Sequence, residues 1–254
     1  MISAVVLTKN EKENIIECLK SLLFCDEIIL IDDYSSDGTL SLIQKSKFKP
    51  KIKIFKRKLD NDFAEQRNFG LKKTKNEWVL FIDADERVTE ALASEIKVQS
   101  LQLKGGYTGF YLSRIDNMWG KQLLHGEPGS IKLLRLAKRD AGKWKRSVHE
   151  VWDVEGGANT LRNPLLHYPH PTLSQFIKDV NKMSSIHAQE NQKERKSSNL
   201  FKIVLFPTGH YFKNFILKLG FLDGMQGFVF ALIMSFHSFL AWSKLLFLQN
   251  KAHK

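Results

Sequence analysis

Over about the first hundred residues, short apolar runs rich in β-branched side chains alternate with segments in which apolar residues recur at helical spacing. The predicted strands are residues 3–7, 27–31, 51–55 and 78–82, and the predicted helices between them are residues 12–23, 39–45 and 63–73. Strands that alternate with helices at this spacing predict a parallel sheet with helices on both faces. The sequence therefore predicts an α/β domain.

Polar side chains follow three of these strands at the point where each strand ends. They are Thr8, Asn10 and Glu11 after the first strand, Asp32 and Asp33 after the second, and Asp83 and Asp85 after the fourth. Ligands of parallel sheets bind beyond the carboxyl ends of the strands. We therefore expect these side chains to converge on one rim.

The strand-end motif Asp83-Ala84-Asp85 can hold a hard divalent cation, whose open positions take diphosphate oxygens. The alternative is a capped turn, in which Asp85 or Glu86 leads into a helix that starts near Thr89. The motif alone does not decide between the two interpretations.

Two further charged residues also have both a functional and a structural interpretation. Asp33 can accept hydrogen bonds from the base or ribose of a nucleotide, although the sequence after it also suits a turn and a helix cap. Arg67 lies on the predicted helix 63–73, where its guanidinium can reach a phosphate or a carboxylate of the site. The alternative for Arg67 is a solvated surface group.

The order and spacing of four motifs resemble family 2 glycosyltransferases. The motifs are Val5-Val6-Leu7-Thr8-Lys9-Asn10-Glu11, Ile31-Asp32-Asp33-Tyr34-Ser35-Ser36-Asp37-Gly38-Thr39, Arg67-Asn68, and Phe81-Ile82-Asp83-Ala84-Asp85-Glu86. Within that family, the later motifs resemble the bacterial group that extends lipopolysaccharide cores. These are Trp144 with Ser147-Val148-His149-Glu150, and Gly220-Phe221-Leu222-Asp223-Gly224.

The resemblance implies a GT-A fold and an activated sugar donor, usually linked to UDP, with Mg²⁺ or Mn²⁺ as the cofactor. The donor-binding residues that it implies are Thr8, Glu11 and Asp33 at the nucleoside, Asn10 beside them, Arg67 on the donor side of the pocket, and Asp83, Ala84 and Asp85 at the ribose, metal and diphosphate. Asp83 and Asp85 are the metal ligands that it implies.

Inverting transfer needs a base that removes the proton of the acceptor hydroxyl as it attacks the anomeric carbon. Many relatives have an Asp just after the proline that corresponds to Pro128, but Gly129 stands there in this chain. Glu127 is therefore the first choice for the base, and His149 with Glu150 is the second candidate pair. The second pair can instead close over the diphosphate or complete the metal coordination.

Two histidines receive a structural interpretation, and one arginine has two interpretations. His167 and His170 are metal-ligand types without a convincing spacing, and we predict that they are loop residues. Arg135 has surface charge as the alternative to a role in the site.

The composition changes after residue 170. We predict a catalytic domain over residues 1–170, with a nucleotide-sugar half at 1–104 and an acceptor half at 105–170, followed by a helical extension at 171–254. No charged residue occurs between Asp223 and Lys244, and an upstream apolar segment, 201–222, carries three lysines. This pattern favours helices that lie in a membrane interface, with a true span or a packed core or oligomer contact as the alternatives.

The net charge of +12 favours anionic partners, including anionic lipid surfaces. No nucleic-acid-binding signature is present, so nucleic acid is not an expected partner. The chain starts directly with the first predicted strand, and both cysteines suit core positions. We expect a peripheral or monotopic protein at the cytoplasmic face of the inner membrane.

These observations predict a glycosyltransferase that acts on a lipid-linked saccharide such as a lipopolysaccharide core. One alternative keeps the fold but has a polyprenyl phosphate as acceptor, which needs no strong base. A second alternative is a scaffold without catalytic activity that binds membrane through its C-terminal part. The sugar and the linkage depend on loops that the motifs do not define.

Overall fold

The computed structural model describes residues 1–101, 106–147 and 150–252 of the chain. These residues form two compact units. The first comprises Met1–Arg114 and Lys132–His167, and the second comprises Ile115–Ile131 and Tyr168–Lys254.

The first unit is built on four parallel strands that the sequence predicted. They are β1 (Ile2–Thr8), β2 (Glu27–Asp32), β3 (Ile52–Lys56) and β4 (Trp78–Asp83), in the order β3-β2-β1-β4. The connecting helices are α1 (Ile15–Ser21), α2 (Thr39–Lys45) and α3 (Phe63–Lys73). Each strand position predicted from the apolar runs is confirmed to within one residue.

Later strands extend this sheet and make it mixed, because some of their pairings are antiparallel. After β5 (Glu86–Val88) and α4 (Glu90–Leu101) come β6 (Tyr107–Met118), β7 (Lys121–Leu123), β8 (Lys132–Lys138), β9 (Gly142–Lys145), β10 (Val151–Val154), β11 (Gly157–Thr160) and β12 (Leu165–His167). Strand β8 pairs with β4 and with β6, and β12 pairs with β5. The GT-A type of fold predicted from the sequence is confirmed.

Alternate residues of the central strands pack on opposite faces of the sheet, as the two-residue period of a strand requires. Ala4 and Val6 belong to the hydrophobic core on one face, together with Cys18, whereas Val5 belongs to the core on the other face. Cys25 is also buried in the first core. The prediction that both cysteines are core residues is therefore confirmed.

Helix α3 lies very close to the sheet at Gly70. A Cβ atom at this position would lie 2.5 Å from the Val5 Cγ1 atom. Only glycine allows this approach, which fixes the position of Arg67 one helical turn earlier.

The second unit contains the helices α5 (Leu173–Lys193), α6 (Leu200–Phe212) and α7 (Gly224–Ala252). A π-helical turn at Lys213–Leu217 and a 3₁₀ turn at Gly220–Asp223 connect α6 to α7. Thr172 caps α5 and Asn199 caps α6, each accepting a hydrogen bond from a backbone N–H of the first turn.

The hairpin between β6 and β7 belongs to this second unit, whereas the sequence analysis placed residues 115–131 in the catalytic domain. The physical reason is a small hydrophobic core in which Met118 and Leu123 of the hairpin are buried with Phe176 of α5 and Phe230 of α7. The sequence-based boundary at residue 104 lies outside the described residues.

Candidate functional site

The register of the parallel strands brings the strand-end residues together. Thr8 lies beside Asp32 on the neighbouring strand, and Leu7 lies beside Asp83 on the other side. The backbone N–H of Asp33 donates to the carbonyl of Thr8. The rim predicted from the strand ends is therefore formed within the first unit.

A cavity of about 260 Å³ opens at this rim. The predicted residues that line it are Thr8, Glu11, Asp33, Asp83, Ala84 and Asp85, and its other lining residues are Leu7, Lys9, Leu59, Phe63, Gln66 and His167. The predicted residues Asn10 and Arg67 are not among its lining residues. Six predicted donor-binding residues thus lie around one opening.

Asn10 holds the neighbouring loop in place rather than lining the cavity. Its backbone N–H donates to the hydroxyl of Ser35, and its side-chain oxygen accepts from the backbone N–H of Ser36. Asn10 has a φ of 56°, in the left-handed region that asparagine tolerates better than most residues. The contacts give Asn10 a structural role in the loop.

Asp33 is buried and held by two neighbours. One carboxylate oxygen accepts from the Lys9 ammonium at 2.6 Å, and the other accepts from the backbone N–H of Leu59 at 3.1 Å. Nearby, the buried Thr8 hydroxyl and one carboxylate oxygen of Asp32 have no hydrogen-bond partner among the described residues. Buried polar atoms of this kind are normally satisfied, and Thr8 lines the cavity, so its hydroxyl is available to a polar ligand.

Asp83 is the centre of a buried network of charges. It accepts from Arg67 at 3.0 Å and 3.2 Å and from Arg135 at 2.7 Å. Burial acts to raise the pKa of Asp83, but Arg135 and Arg67 hold it well below its usual range. Both carboxylate oxygens of Asp83 are therefore charged and already paired with arginines.

Two glutamates extend this network away from the cavity. The Nε and Nη2 atoms of Arg67 donate to the Oε1 atom of Glu150 at 2.9 Å and 2.8 Å. Glu86 is fully buried, and its carboxylate accepts from the backbone N–H of Asp83 and from Arg135. Burial raises the pKa of Glu86. Acidic and basic side chains therefore alternate in the network. The two arginines that bind Asp83 are themselves bound by Glu150 and Glu86.

Asp85 has a different partner, His167, whose Nε2 atom lies 3.2 Å from the Asp85 carboxylate. Burial acts to raise the pKa of Asp85, but the charge and hydrogen bond of His167 lower it. Burial and the charge of Asp85 together raise the pKa of Glu11 to about 7. The charge of Asp85, which contributes to this rise after burial, also attracts a cation.

The residues present fit a divalent cation only in part. No group of three or more His, Cys, Asp or Glu side chains with the geometry of a metal site occurs among the described residues. Mg²⁺ is commonly bound by one or two carboxylates, with water and substrate phosphates as the remaining ligands. Asp85 is the carboxylate that can supply such a site, because the oxygens of Asp83 are engaged by arginines.

Glu127, the first choice for the base, lies in the second unit. Its carboxylate is 3.3 Å from the Nε2 atom of His210 and 3.5 Å from the side-chain nitrogen of Asn214. The hydrogen bond from His210 lowers the pKa of Glu127. Glu127 is therefore ionised at neutral pH, as a base must be before it accepts a proton.

The structure also explains why glycine stands at position 129. A Cβ atom there would lie 2.0 Å from the carbonyl oxygen of Leu124. The short turn at Pro128–Ser130 thus has no room for a side chain at this position. Of the second candidate pair, Glu150 is bound to Arg67, and His149 lies outside the described residues.

The comparison with known proteins agrees with this architecture. The family model described as Glycosyl transferase family 2 matches residues 3–140, more than half of the chain. The chain belongs to glycosyl transferase family 2. The family prediction made from the four ordered motifs is confirmed.

Relatives of this family 2 glycosyltransferase match nearly its whole length. Lipopolysaccharide core biosynthesis glycosyltransferase LpsC of Rhizobium meliloti (strain 1021) is 27% identical over 247 residues, which cover 96% of this chain and 91% of the relative. An uncharacterized glycosyltransferase of Rickettsia conorii (strain Malish 7) is 25% identical, over 96% of this chain and 89% of its own length.

A solved structure shares the fold. Mannosyltransferase PcManGT from Pyrobaculum calidifontis, described in complex with GDP-Man and Mn²⁺, aligns with a TM-score of 0.53 and 14% identity. The alignment covers 100% of this chain and 87% of that one.

Sequence reasoning missed two charged residues near this glycosyltransferase's rim, His167 and Glu86, and left the role of Arg135 open. Arg135 is buried beside Asp83, so its interpretation as surface charge is wrong. His167 ends strand β12 beside Asp85, so its interpretation as a loop residue is also wrong. Glu86 was considered only as part of a turn. The available signal for Arg135 was its position inside an otherwise apolar strand, where a charge needs a partner.

Proposed function

We propose that this glycosyltransferase moves a sugar from a nucleotide-diphosphate donor, UDP-linked, to a lipid-linked saccharide such as a lipopolysaccharide core, with inversion at the anomeric carbon. The observation that carries the proposal is the convergence of Thr8, Asp33, Asp83 and Asp85 on one cavity at the strand ends. The 27% identity with LpsC supports the choice of acceptor class.

The nucleoside is the part of the donor that the cavity suits. Pockets for ligands of moderate size have volumes of roughly 300–1,000 Å³, so a cavity of about 260 Å³ accommodates a nucleoside rather than a whole nucleotide sugar. Thr8 and Asp33 offer a hydroxyl and a carboxylate to the base and ribose. Glu11 adds an acceptor whose charge depends on pH near neutrality.

Asp85, with His167 beside it, is our proposed protein anchor for Mg²⁺ or Mn²⁺. A bound divalent cation would neutralise the diphosphate and so stabilise it as a leaving group. Asp83 has a positioning role in this proposal, because Arg67 and Arg135 occupy its oxygens and hold the strand end. Glu150 supports that role by fixing Arg67.

Glu127 is our proposed base. In inverting transfer, the acceptor oxygen forms a bond to the anomeric carbon while the bond from that carbon to the donor phosphate breaks. The acceptor proton goes to the Glu127 carboxylate, and the bonding electron pair leaves with the diphosphate. The contact with His210 keeps Glu127 ionised and oriented.

The apolar C-terminal helices support attachment to a membrane, and we propose its cytoplasmic face. Within the described residues, the segment Gly220–Asn250 is apolar enough, by length and composition alone, to cross a bilayer, with a mean hydropathy of 1.5. Large apolar side chains of this region are exposed, including Phe201, Val204, Phe212, Leu217, Met225 and Phe247. An exposed apolar surface of this kind suits a partner such as lipid. Because lysines also occur here, we propose peripheral attachment to anionic lipid.

A screen of nucleotide sugars against delipidated and intact lipopolysaccharide core acceptors tests the proposal. We expect transfer from one UDP-sugar to the lipid-linked acceptor, with release of UDP and the opposite anomeric configuration in the product. A product that keeps the anomeric configuration of the donor would overturn the proposal of inversion. Absence of UDP-sugar binding or turnover across the panel would overturn the donor assignment.

A further inference from the structure

The second unit has a shallow groove that the nucleotide site does not use. It has a volume of about 470 Å³ and is lined by Leu205, Phe206, Gly209, His210 and Lys213 from α6 and the turn after it, and by Ser238 and Trp242 from α7. We define these seven residues as the α6–α7 groove.

The walls of the groove are apolar at one end. Leu205 and Phe206 are both exposed, and the Phe206 ring packs edge-on against the Trp242 ring at a centroid distance of 5.0 Å. Gly209 leaves the floor open, because a Cβ atom there would have no neighbour within 4 Å. Aromatic and aliphatic surface with an open floor suits a hydrocarbon chain.

One exposed lysine lies at the other end of the groove. Lys213 is exposed, and its ammonium makes no hydrogen bond or ion pair with any described residue. None of the seven lining residues is an acid. The helical rise from Leu205 to Lys213 is about 12 Å. A ligand with a hydrocarbon chain of that length and an anionic head group would therefore contact the apolar end of the groove and Lys213 at the same time.

The groove also connects to the proposed base. His210 lines the groove, and its Nε2 atom is 3.3 Å from the Glu127 carboxylate. A ligand whose chain lies along Leu205 and Phe206 would thus have its head group beside the His210–Glu127 pair.

We infer that the α6–α7 groove binds one hydrocarbon chain of the lipid-linked acceptor, with an anionic phosphate of the head group at Lys213. This inference rests on the proposed transfer to a lipid-linked saccharide and specifies where that lipid is held. It differs from general membrane attachment, because it requires a defined groove and a charged head group.

The test uses the full-length protein in a neutral detergent and dodecyl phosphate as the probe, with dodecyl maltoside as the uncharged competitor. Wild-type protein should bind dodecyl phosphate in equilibrium dialysis. The substitution Gly209→Leu fills the floor and should weaken binding by roughly tenfold or more, because several methylene contacts are lost. Leucine is a better helix former than glycine, so folding should be retained.

Two matched variants control for bulk and charge. Thr208→Leu adds an apolar side chain to the adjacent exposed position outside the groove, and should bind the probe as wild type does. Lys213→Gln should weaken dodecyl phosphate several-fold and leave dodecyl maltoside unchanged. Lys182→Gln removes an exposed lysine of α5 and should have no effect.

Three outcomes would overturn the inference. The first is equal probe affinity in wild type and Gly209→Leu, with circular dichroism showing that both are folded. The second is equal loss of binding for the charged and the uncharged amphiphile in Lys213→Gln. The third is a dimer that Gly209→Leu dissociates, which would assign the groove to a second copy of the chain. UDP binding by wild type and Thr208→Leu is measured separately, so failure of the proposed donor function is distinguished from failure of the groove.

Discussion

Replacing Arg67 should lower the free energy of unfolding far more than replacing an exposed arginine of a helix would. The side chain is 2% exposed and donates to both Asp83 and Glu150. Its guanidinium also lies 4.8 Å from the centre of the Trp144 ring. Arg67→Met keeps the apolar stem over that ring but leaves Glu150 without its counter-charge.

The magnitude follows from the cost of breaking a buried ion pair. Removing one partner of such a pair typically costs about 3–5 kcal/mol, because the remaining charge is left uncompensated. Arg135 still pairs with Asp83 in the variant, so Glu150 is the group that loses its hydrogen-bonded counter-charge. We expect Arg67→Met to lower the free energy of unfolding by about 3–5 kcal/mol.

The double variant Arg67→Met/Glu150→Gln isolates the pair. Arg67→Met leaves the Glu150 carboxylate without its partner, and Glu150→Gln removes that charge. The double variant should therefore lose less free energy of unfolding than the sum of the two single losses, by about 1–3 kcal/mol. The assay is urea unfolding in one fixed neutral detergent, followed by fluorescence and circular dichroism. As the control, Arg139→Met removes an arginine whose ion pair with Asp140 is exposed, and it should leave the unfolding midpoint unchanged.

Two results would refute the buried-network account. One is a loss for Arg67→Met no larger than that for Arg139→Met. The other is strict additivity of Arg67→Met and Glu150→Gln, since independent residues would give no coupling.

The remaining predictions concern the base, the pH dependence and the packing of α3. Glu127→Gln should retain UDP binding but lose transfer, measured by product formation, by roughly two to four orders of magnitude. Near-normal turnover would exclude Glu127 as the base. It would also remove the argument against a polyprenyl phosphate acceptor, which needs no strong base. In metal-free protein, the pKa of Glu11 is raised from 4.5 to about 7, so the folded state holds a proton that the unfolded chain releases between those values, and stability should fall as pH rises through that window. Glu11→Gln should abolish this loss in urea unfolding, and an unchanged pH profile would contradict it. Gly70→Ala should lower the free energy of unfolding by about 1–3 kcal/mol, because the new methyl group meets Val5; a neutral effect would show that α3 can move away from the sheet.

The rim could be predicted from the sequence because its residues follow local patterns. Thr8 and Asp83 come directly after an apolar run and Asp33 follows one residue later, and parallel pairing places the ends of β1, β2 and β4 together. The strand and the site residue are therefore encoded in the same short segment.

The partners of these residues could not be predicted in the same way. Arg135 reaches Asp83 because β8 runs antiparallel beside β4, and His167 reaches Asp85 from a strand 82 positions later in the chain. Such pairings depend on the long-range order of strands, which short sequence patterns do not contain. The contact between Glu127 and His210 is equally distant in sequence and gave no local signal.

Long-range packing also affects the proposed division into a catalytic domain and an extension. Residues 115–131 lie within the segment that the sequence analysis assigned to the acceptor half of the catalytic domain. Their buried side chains, Met118 and Leu123, instead pack with helices that come more than fifty residues later. Hydrophobicity alone does not identify which core a residue joins.

The most direct test of the central claim, a donor nucleotide held at the strand-end rim with a divalent cation, is calorimetry of UDP with wild-type protein and Asp85→Ala. The account predicts that Mn²⁺ strengthens UDP binding to wild type, that EDTA removes this gain, and that Asp85→Ala no longer shows it while remaining folded. UDP affinity that is equal with Mn²⁺ and with EDTA, or a gain from Mn²⁺ that persists in Asp85→Ala, would contradict the account.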